Sequence, residues 1–200
     1  MIMAQIPDSE IHRIVEQVVN YTLKGSDSTT PQPSVVPAPL PASPPAAASK
    51  TVALGSDHGG FTMKEMLKVY VVELGYTVID CGTSDSKTPV DYPDLALAAA
   101  LLVKEGKAWR GIVVDGAGIG SCMAANKVPG VRAALCYDFA TAVNSREHND
   151  ANLLTLGAGL IGENLAKQIV KTWLSTEFGG GRHQKRIDKI IAIEKRFLKE

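Results

Sequence analysis

The sequence predicts an α/β fold: a five-stranded parallel sheet covered by helices on both faces, preceded by a short helix and a disordered linker. Three observations carry this expectation. Five short β-branched or apolar runs alternate with longer helical patterns along residues 51–200, the βαβ rhythm of a parallel sheet with helices on each face. A proline-rich run precedes them and cannot pack a core. An amphipathic segment stands before that run.

Composition bounds the function classes. The 200 residues are 45% hydrophobic and 21% charged, with a formal net charge of +0. This suits one ordinary domain with an appendage. Nothing in the charge balance suggests a nucleic acid or a polybasic membrane surface as partner. The three cysteines, Cys81, Cys122 and Cys136, are odd in number and lie inside apolar patterns. That argues for reduced thiols and a cytoplasmic compartment. No Cys/His spacing suits a metal, the start has no secretory pattern, and no stretch is long and apolar enough for a membrane span.

Residues 1–24 form the first part. Ile11, Ile14, Val15 and Val18 recur at helical spacing, Asp8 or Ser9 can cap the start, and Gly25 can end it. Residues 25–50 hold seven of the eleven prolines among Ser, Thr and Ala. As an extended spacer they reach on the order of 80 Å at ~3.1 Å per residue.

Residues 51–200 form the third part. The expected strands are TVALGS, YTVIDC, GIVVD, VRAALC and LLTLG. Between them lie the helical patterns FTMKEMLKVYVVELG, YPDLALAAALLVKEG, SCMAANKV, FATAVNSREHND and ENLAKQIVKTWLSTE. A last helix, about 183–198, follows Gly179-Gly180-Gly181. Ligands should bind at the carboxyl ends of the strands.

The most specific local pattern is VVDGAGIGSCMAANK, Val113 to Lys127. A buried strand runs into a glycine-rich loop and then a helix, which makes an anion cradle of backbone N–H groups. Gly116, Gly118 and Gly120 shape that cradle. Asp115 sits just before it, and either does chemistry or ties the loop down. The spacing is neither the dinucleotide fingerprint nor a Walker loop. A small phosphorylated or enolisable ligand fits better than a nucleotide.

Other chemical groups fall at loop positions. GSDHGG puts Asp57 and His58 after the first strand, as a cap or as a polar pair at the ligand edge. SREHND puts His148 and Asn149 at the end of a helix, as dipole partner or functional group. GGGRHQKR places Arg182 and Arg186 four apart, on one side of the last helix. Positive charge near a helix start is unfavourable, which points to an anionic ligand or a neighbouring subunit. In TPVDYPDLA, Asp91 and Tyr92 read in isolation as turn and capping residues.

In this order and spacing, GSDHGG, DYPDLA, the Gly-x-Gly-x-Gly loop with AANK, SREHND and GGRHQKR resemble one family. It is that of the type B ribose-5-phosphate isomerases and the galactose-6-phosphate isomerase subunits. The resemblance covers most residues from 51 to about 194. It implies a Rossmann-like three-layer sandwich and a homodimer or tetramer with active sites shared between subunits. It also implies no metal and no organic cofactor. The implied activity is aldose–ketose isomerisation of a phosphorylated sugar through a cis-enediolate, with loop N–H groups as donors to the oxyanion. By resemblance, Asp57 and His58 contact the sugar and phosphate end, and Tyr92 joins the substrate-binding set. His148 assists ring opening, Asn149 holds hydroxyls, and Arg182 and Arg186 reach into the partner subunit to hold phosphate.

The chain also departs from the family pattern. Asp115 stands where one branch has a catalytic Cys, and Ser121 where another has a Glu. Ala117 replaces the ring-opening Thr or Ser, and Gly159 replaces a phosphate-binding Arg. Cys122 is offset from both base positions. Asp115 then has three readings: the base, an acceptor of loop N–H bonds, or a bystander to a partner subunit's base. Position alone favours the first. As the base, Asp115 needs burial to lift it from the usual ~3.9 of an aspartate.

The tail resembles the encapsulation peptides of enzymes packed in bacterial microcompartments. That implies a shell or cargo protein as partner of residues 8–24 and a place in the microcompartment lumen. The reading that follows is an isomerase carrying ribose 5-phosphate to ribulose 5-phosphate as microcompartment cargo. The alternatives are an isomerase of another phosphosugar that needs a partner subunit, and a catalytically silent sugar-phosphate-binding protein.

Overall fold

The computed structural model describes residues 50–198. The helix expected within residues 1–24 and the linker expected over 25–50, apart from Lys50, lie outside the described residues.

Among the described residues five strands and six helices alternate as expected. They are β1 (Thr51–Ser56), α1 (Phe61–Glu73), β2 (Thr77–Asp80), α2 (Tyr92–Lys104), β3 (Arg110–Asp115) and α3 (Ile119–Ala125). Then follow β4 (Ala133–Leu135), α4 (Phe139–Glu147), β5 (Leu153–Gly157), α5 (Glu163–Ser175), a 3-10 turn (Gly181–His183) and α6 (Gln184–Phe197). All strand pairs are parallel, in the order β2-β1-β3-β5-β4.

Strand alternation sorts the core into two layers. Val52, Leu54, Ile112, Val114, Leu154 and Leu156 face α1, α4 and α5, with Trp173 of α5 fully buried among them. Ala53, Val113 and Leu153 face the alanines Ala96, Ala99 and Ala100 of α2 and Ala125 of α3. Small residues there let α2 and α3 approach the sheet closely.

The strand expected over VRAALC shrinks to Ala133–Leu135. β4 is an edge strand, paired only with β5. On its free side the Asn126 amide donates to Ala133 O at 3.0 Å and accepts from Ala133 N at 2.9 Å. One side chain thus substitutes for a further strand and blunts the edge.

The chain steps from β1 outward to β2, then crosses back to β3 on the other side. That reversal opens a crevice beyond the carboxyl ends of β1 and β3, where open α/β sheets bind ligands.

Candidate active site

Two loops meet at the crevice. Asp57 to Gly60 follow β1, and Gly116 to Gly118 follow β3. A side chain at Gly59 would fall 3.4 Å from Asp57 Oδ1 and 3.8 Å from Gly116 N, so the loops touch there. Asp57 is buried, and its Oδ1 accepts from Gly60 N at 2.9 Å, closing the turn into α1. Among the described residues nothing donates to Oδ2. His58 Nδ1 accepts from Val90 N at 3.3 Å, which ties the long β2–α2 connection across the crevice.

Tyr92, the first residue of α2, lies against the glycine loop. A Cβ on Gly120 would overlap its ring. Tyr92 therefore does more than start a helix; its ring needs the bare backbone at Gly120. Gly118 adopts φ 75, and a Cβ there would come within 2.9 Å of the Leu156 carbonyl carbon. The backbone that starts α3 is open only to glycine at that point.

Asp115 is 4% exposed and closes the loop upon itself. Its Oδ1 accepts from Ala117 N at 2.7 Å and from Gly118 N. Its Oδ2 accepts from Ser121 N at 3.2 Å and from the Ser121 hydroxyl. The cradle expected to hold a ligand oxygen holds the chain's own carboxylate. Behind the loop, the Tyr137 hydroxyl donates to Ala117 O at 2.5 Å. Burial, and then the negative charge of Asp115, push the Tyr137 phenol above its ordinary pKa.

Beside the first loop, the starts of α1 and α5 flank a cavity of about 280 Å³ lined by Gly59, Thr62, Ala158, Gly162 and Glu163. Two helix N-termini converge on it, a favourable setting for anionic oxygens.

His148, Asn149, Arg182 and Arg186 do not join this group within one chain. α4 runs back from the carboxyl end of β4, so His148 and Asn149 emerge at the amino edge, ahead of Leu153. Leu153 pairs with Gly111, whereas Asp115 pairs with Gly157. Four residues of strand, about 13 Å, separate these levels.

The amino-edge set has its own order. Gly179 N donates to Glu147 O at 2.9 Å and brings the 3-10 turn onto the end of α4. The His183 ring stacks on His148 with centroids 4.2 Å apart and planes 5° from parallel. Desolvation, then the positive charge of His148, Arg182 and Arg186, hold His183 below the ordinary histidine pKa, with Glu147 opposing. Sequence reasoning missed His183. Its one signal was its place between Arg182 and Arg186, because its partner lies 35 residues earlier. Asn144 Nδ2 sits 2.7 Å from His148 Nδ1, and Asn149 Nδ2 donates to Asn144 O and Oδ1, both at 3.2 Å.

Among the described residues no cluster of His, Cys, Asp or Glu could hold a metal ion, and no helix is long and apolar enough to cross a membrane.

The comparisons with known proteins agree with this architecture. The Ribose/Galactose Isomerase family model matches residues 52–190. Ribose-5-phosphate isomerase B of Escherichia coli is 45% identical over 147 residues, covering 74% of this chain and 98% of the relative. D-erythrulose-4-phosphate isomerase of Pectobacterium atrosepticum is 40% identical over 140 residues, 70% of this chain and 92% of the relative. The structure of Clostridium thermocellum ribose-5-phosphate isomerase B superposes with a TM-score of 0.72 at 50% identity, over 74% of this chain and 99% of that one. With matches this long and this similar, the chain belongs to the ribose/galactose isomerase family.

Proposed function

We propose that this chain interconverts a phosphorylated aldose and its ketose through a cis-enediolate, with ribose 5-phosphate and ribulose 5-phosphate as the pair. The observation that carries the reading is the crevice between β1 and β3. There Asp57, His58 and Tyr92 line a glycine loop in a chain of a sugar isomerase family. A four-carbon sugar phosphate is the next candidate, given the Pectobacterium relative.

The two half-sites lie at opposite edges of the sheet, so a complete site needs two copies of the chain. One copy supplies the crevice. The other supplies His148 for ring opening, Asn149 for hydroxyls, and Arg182 with Arg186 for phosphate. Guanidinium forks suit that anion.

Asp115 serves this site as the anchor of its loop. A carboxylate that already accepts from four donors has no lone pair free to take a proton from a sugar. Asp57 meets the requirement better, because its Oδ2 accepts from no donor among the described residues, and it is the base in this reading. The N-terminal helix, through its apolar stripe, directs the enzyme to a microcompartment shell or cargo protein.

The test is turnover of ribose 5-phosphate by the purified full chain, followed by Asp57→Asn. Conversion by the wild type and none by the variant is the expected result. A wild type that binds ribose 5-phosphate without converting it, or any other aldose phosphate, would replace this reading with that of a silent binding protein. Deleting residues 1–49 should leave turnover intact and end co-purification with shells.

A further inference from the structure

We propose that Asp150 is a positioning residue for His148 and Asn149, acting through a clasp it forms with Arg132 and Arg146. Only the kinetic arm of its test rests on the isomerase reading above.

The argument starts from how α4 ends. Asp150 N donates to Arg146 O at 3.0 Å, and Ala151 N donates to Ser145 O at 2.9 Å. These two bonds, spanning four and six residues, wrap the chain back over the last turn of α4, with a left-handed residue at the first of the two positions, as helix ends commonly have. Glycine usually fills that place. Here Asp150 fills it at φ 45, the one non-glycine residue with positive φ among the described residues. Two costs follow. A side chain strains that backbone, although aspartate tolerates it better than most. A carboxylate also sits at the negative end of the helix dipole.

Both costs are offset by the two arginines. Arg132 Nη2 donates to Asp150 Oδ2 at 2.8 Å, and Arg146 Nη1 donates to Oδ1 at 2.9 Å. Arg132 precedes β4 and Arg146 belongs to α4, so one carboxylate joins the sheet edge to the helix end. Arg132 Nε also donates to Asp150 O at 3.0 Å and to Asn149 O at 3.3 Å. Arg146 Nη1 reaches Ala151 O at 2.5 Å. The carbonyls of three successive residues from Asn149 are thereby fixed from outside the turn. Glycine would close the same turn with less strain. What aspartate adds is the clasp, and what the clasp fixes is the direction in which the His148 and Asn149 side chains leave the chain.

The test uses the full chain and two variants. Asp150→Gly removes the clasp while relieving the backbone, and Asp150→Asn keeps one acceptor oxygen and tolerates left-handed φ. The direct readout is the pair of imidazole C–H resonances of His148 and His183 by NMR, which carry each other's ring-current shift while the rings are stacked. In Asp150→Gly that shared shift should collapse although the protein stays folded. In turnover, kcat should fall roughly 10- to 100-fold as His148 is displaced, with a smaller rise in KM as Asn149 is displaced. Asp150→Asn should recover part of both. Native resonances together with wild-type kcat in Asp150→Gly would overturn the proposal. Should that variant unfold, the same result in a folded Asp150→Asn would overturn it. Should the wild type convert no aldose phosphate, the isomerase reading fails, and the imidazole shifts alone decide the role of Asp150.

Discussion

Asp115 and His148 stand at opposite ends of one sheet. Asp115 pairs with Gly157 at the carboxyl edge, and His148 leaves α4 ahead of Leu153, which pairs with Gly111 at the amino edge. A reaction that needs both edges needs two chains. Mixing an Asp57→Asn protein with a His148→Ala protein, after dissociation and reassociation, should therefore restore activity. Random pairing of two-fold dimers with one intact site in each mixed dimer gives about a quarter of the wild-type rate. No recovery at any ratio would place the working site within one chain.

Asp115→Asn separates anchor from base. The amide oxygen can still accept from Ala117 N and Gly118 N, but the amide nitrogen must face the Ser121 N–H. Leaving a buried donor unpaired costs about 1–3 kcal/mol. The expected result is a lower melting temperature and reduced but measurable turnover. Complete loss of turnover at unchanged stability would return Asp115 to the role of base.

Arg110 should be a stability determinant without a catalytic part. Its buried guanidinium donates to Trp173 O at 2.7 Å, Leu174 O at 3.0 Å and Thr176 O at 3.2 Å, closing the end of α5. It also lies 3.9 Å from the Trp109 ring centroid. Burial, then the nearby Arg146 cation, push its pKa down to about 10, so it stays charged at neutral pH. Arg110→Ala takes the side-chain donor from Trp173 O, while Leu174 O keeps the Tyr76 hydroxyl and Thr176 O keeps Arg146 Nε, and should cost roughly 1–3 kcal/mol in urea unfolding. Arg110→Lys lacks the fork and should fall between. KM should be unchanged in whatever fraction remains folded.

His183 predicts acid sensitivity at the amino edge. Its folded pKa lies below its unfolded value, so the unfolded chain binds more protons in the interval between them. Its contribution to stability is present above the ordinary histidine pKa of ~6.5 and is lost as pH falls through the folded value. Melting temperature against pH should drop in that window for the wild type and less for His183→Gln. Identical profiles would remove His183 as the cause.

Much of the fold was legible because its signals are local. LLTLG became β5 and TVALGS became β1, residue for residue. The contacts of Asp115 run to residues two, three and six positions on, so the choice between chemistry and loop closure could already be framed from the sequence. The length of β4 was not legible. Its free edge is closed by Asn126, the residue that caps the end of α3, whose sequence context says nothing of a strand.

The sequence by itself determined the alternation of strands and helices, the glycine loop after β3, and the residue types available for chemistry. Periodicity and backbone freedom are properties of neighbours along the chain. Only the tertiary structure decided that the Asp115 carboxylate fills the cradle, that His183 stacks on His148, and that the site residues divide between two edges. Those outcomes depend on strand order and on which way each helix runs back across the sheet. Both are settled by burial of two apolar faces at once, which no short stretch of sequence can specify alone.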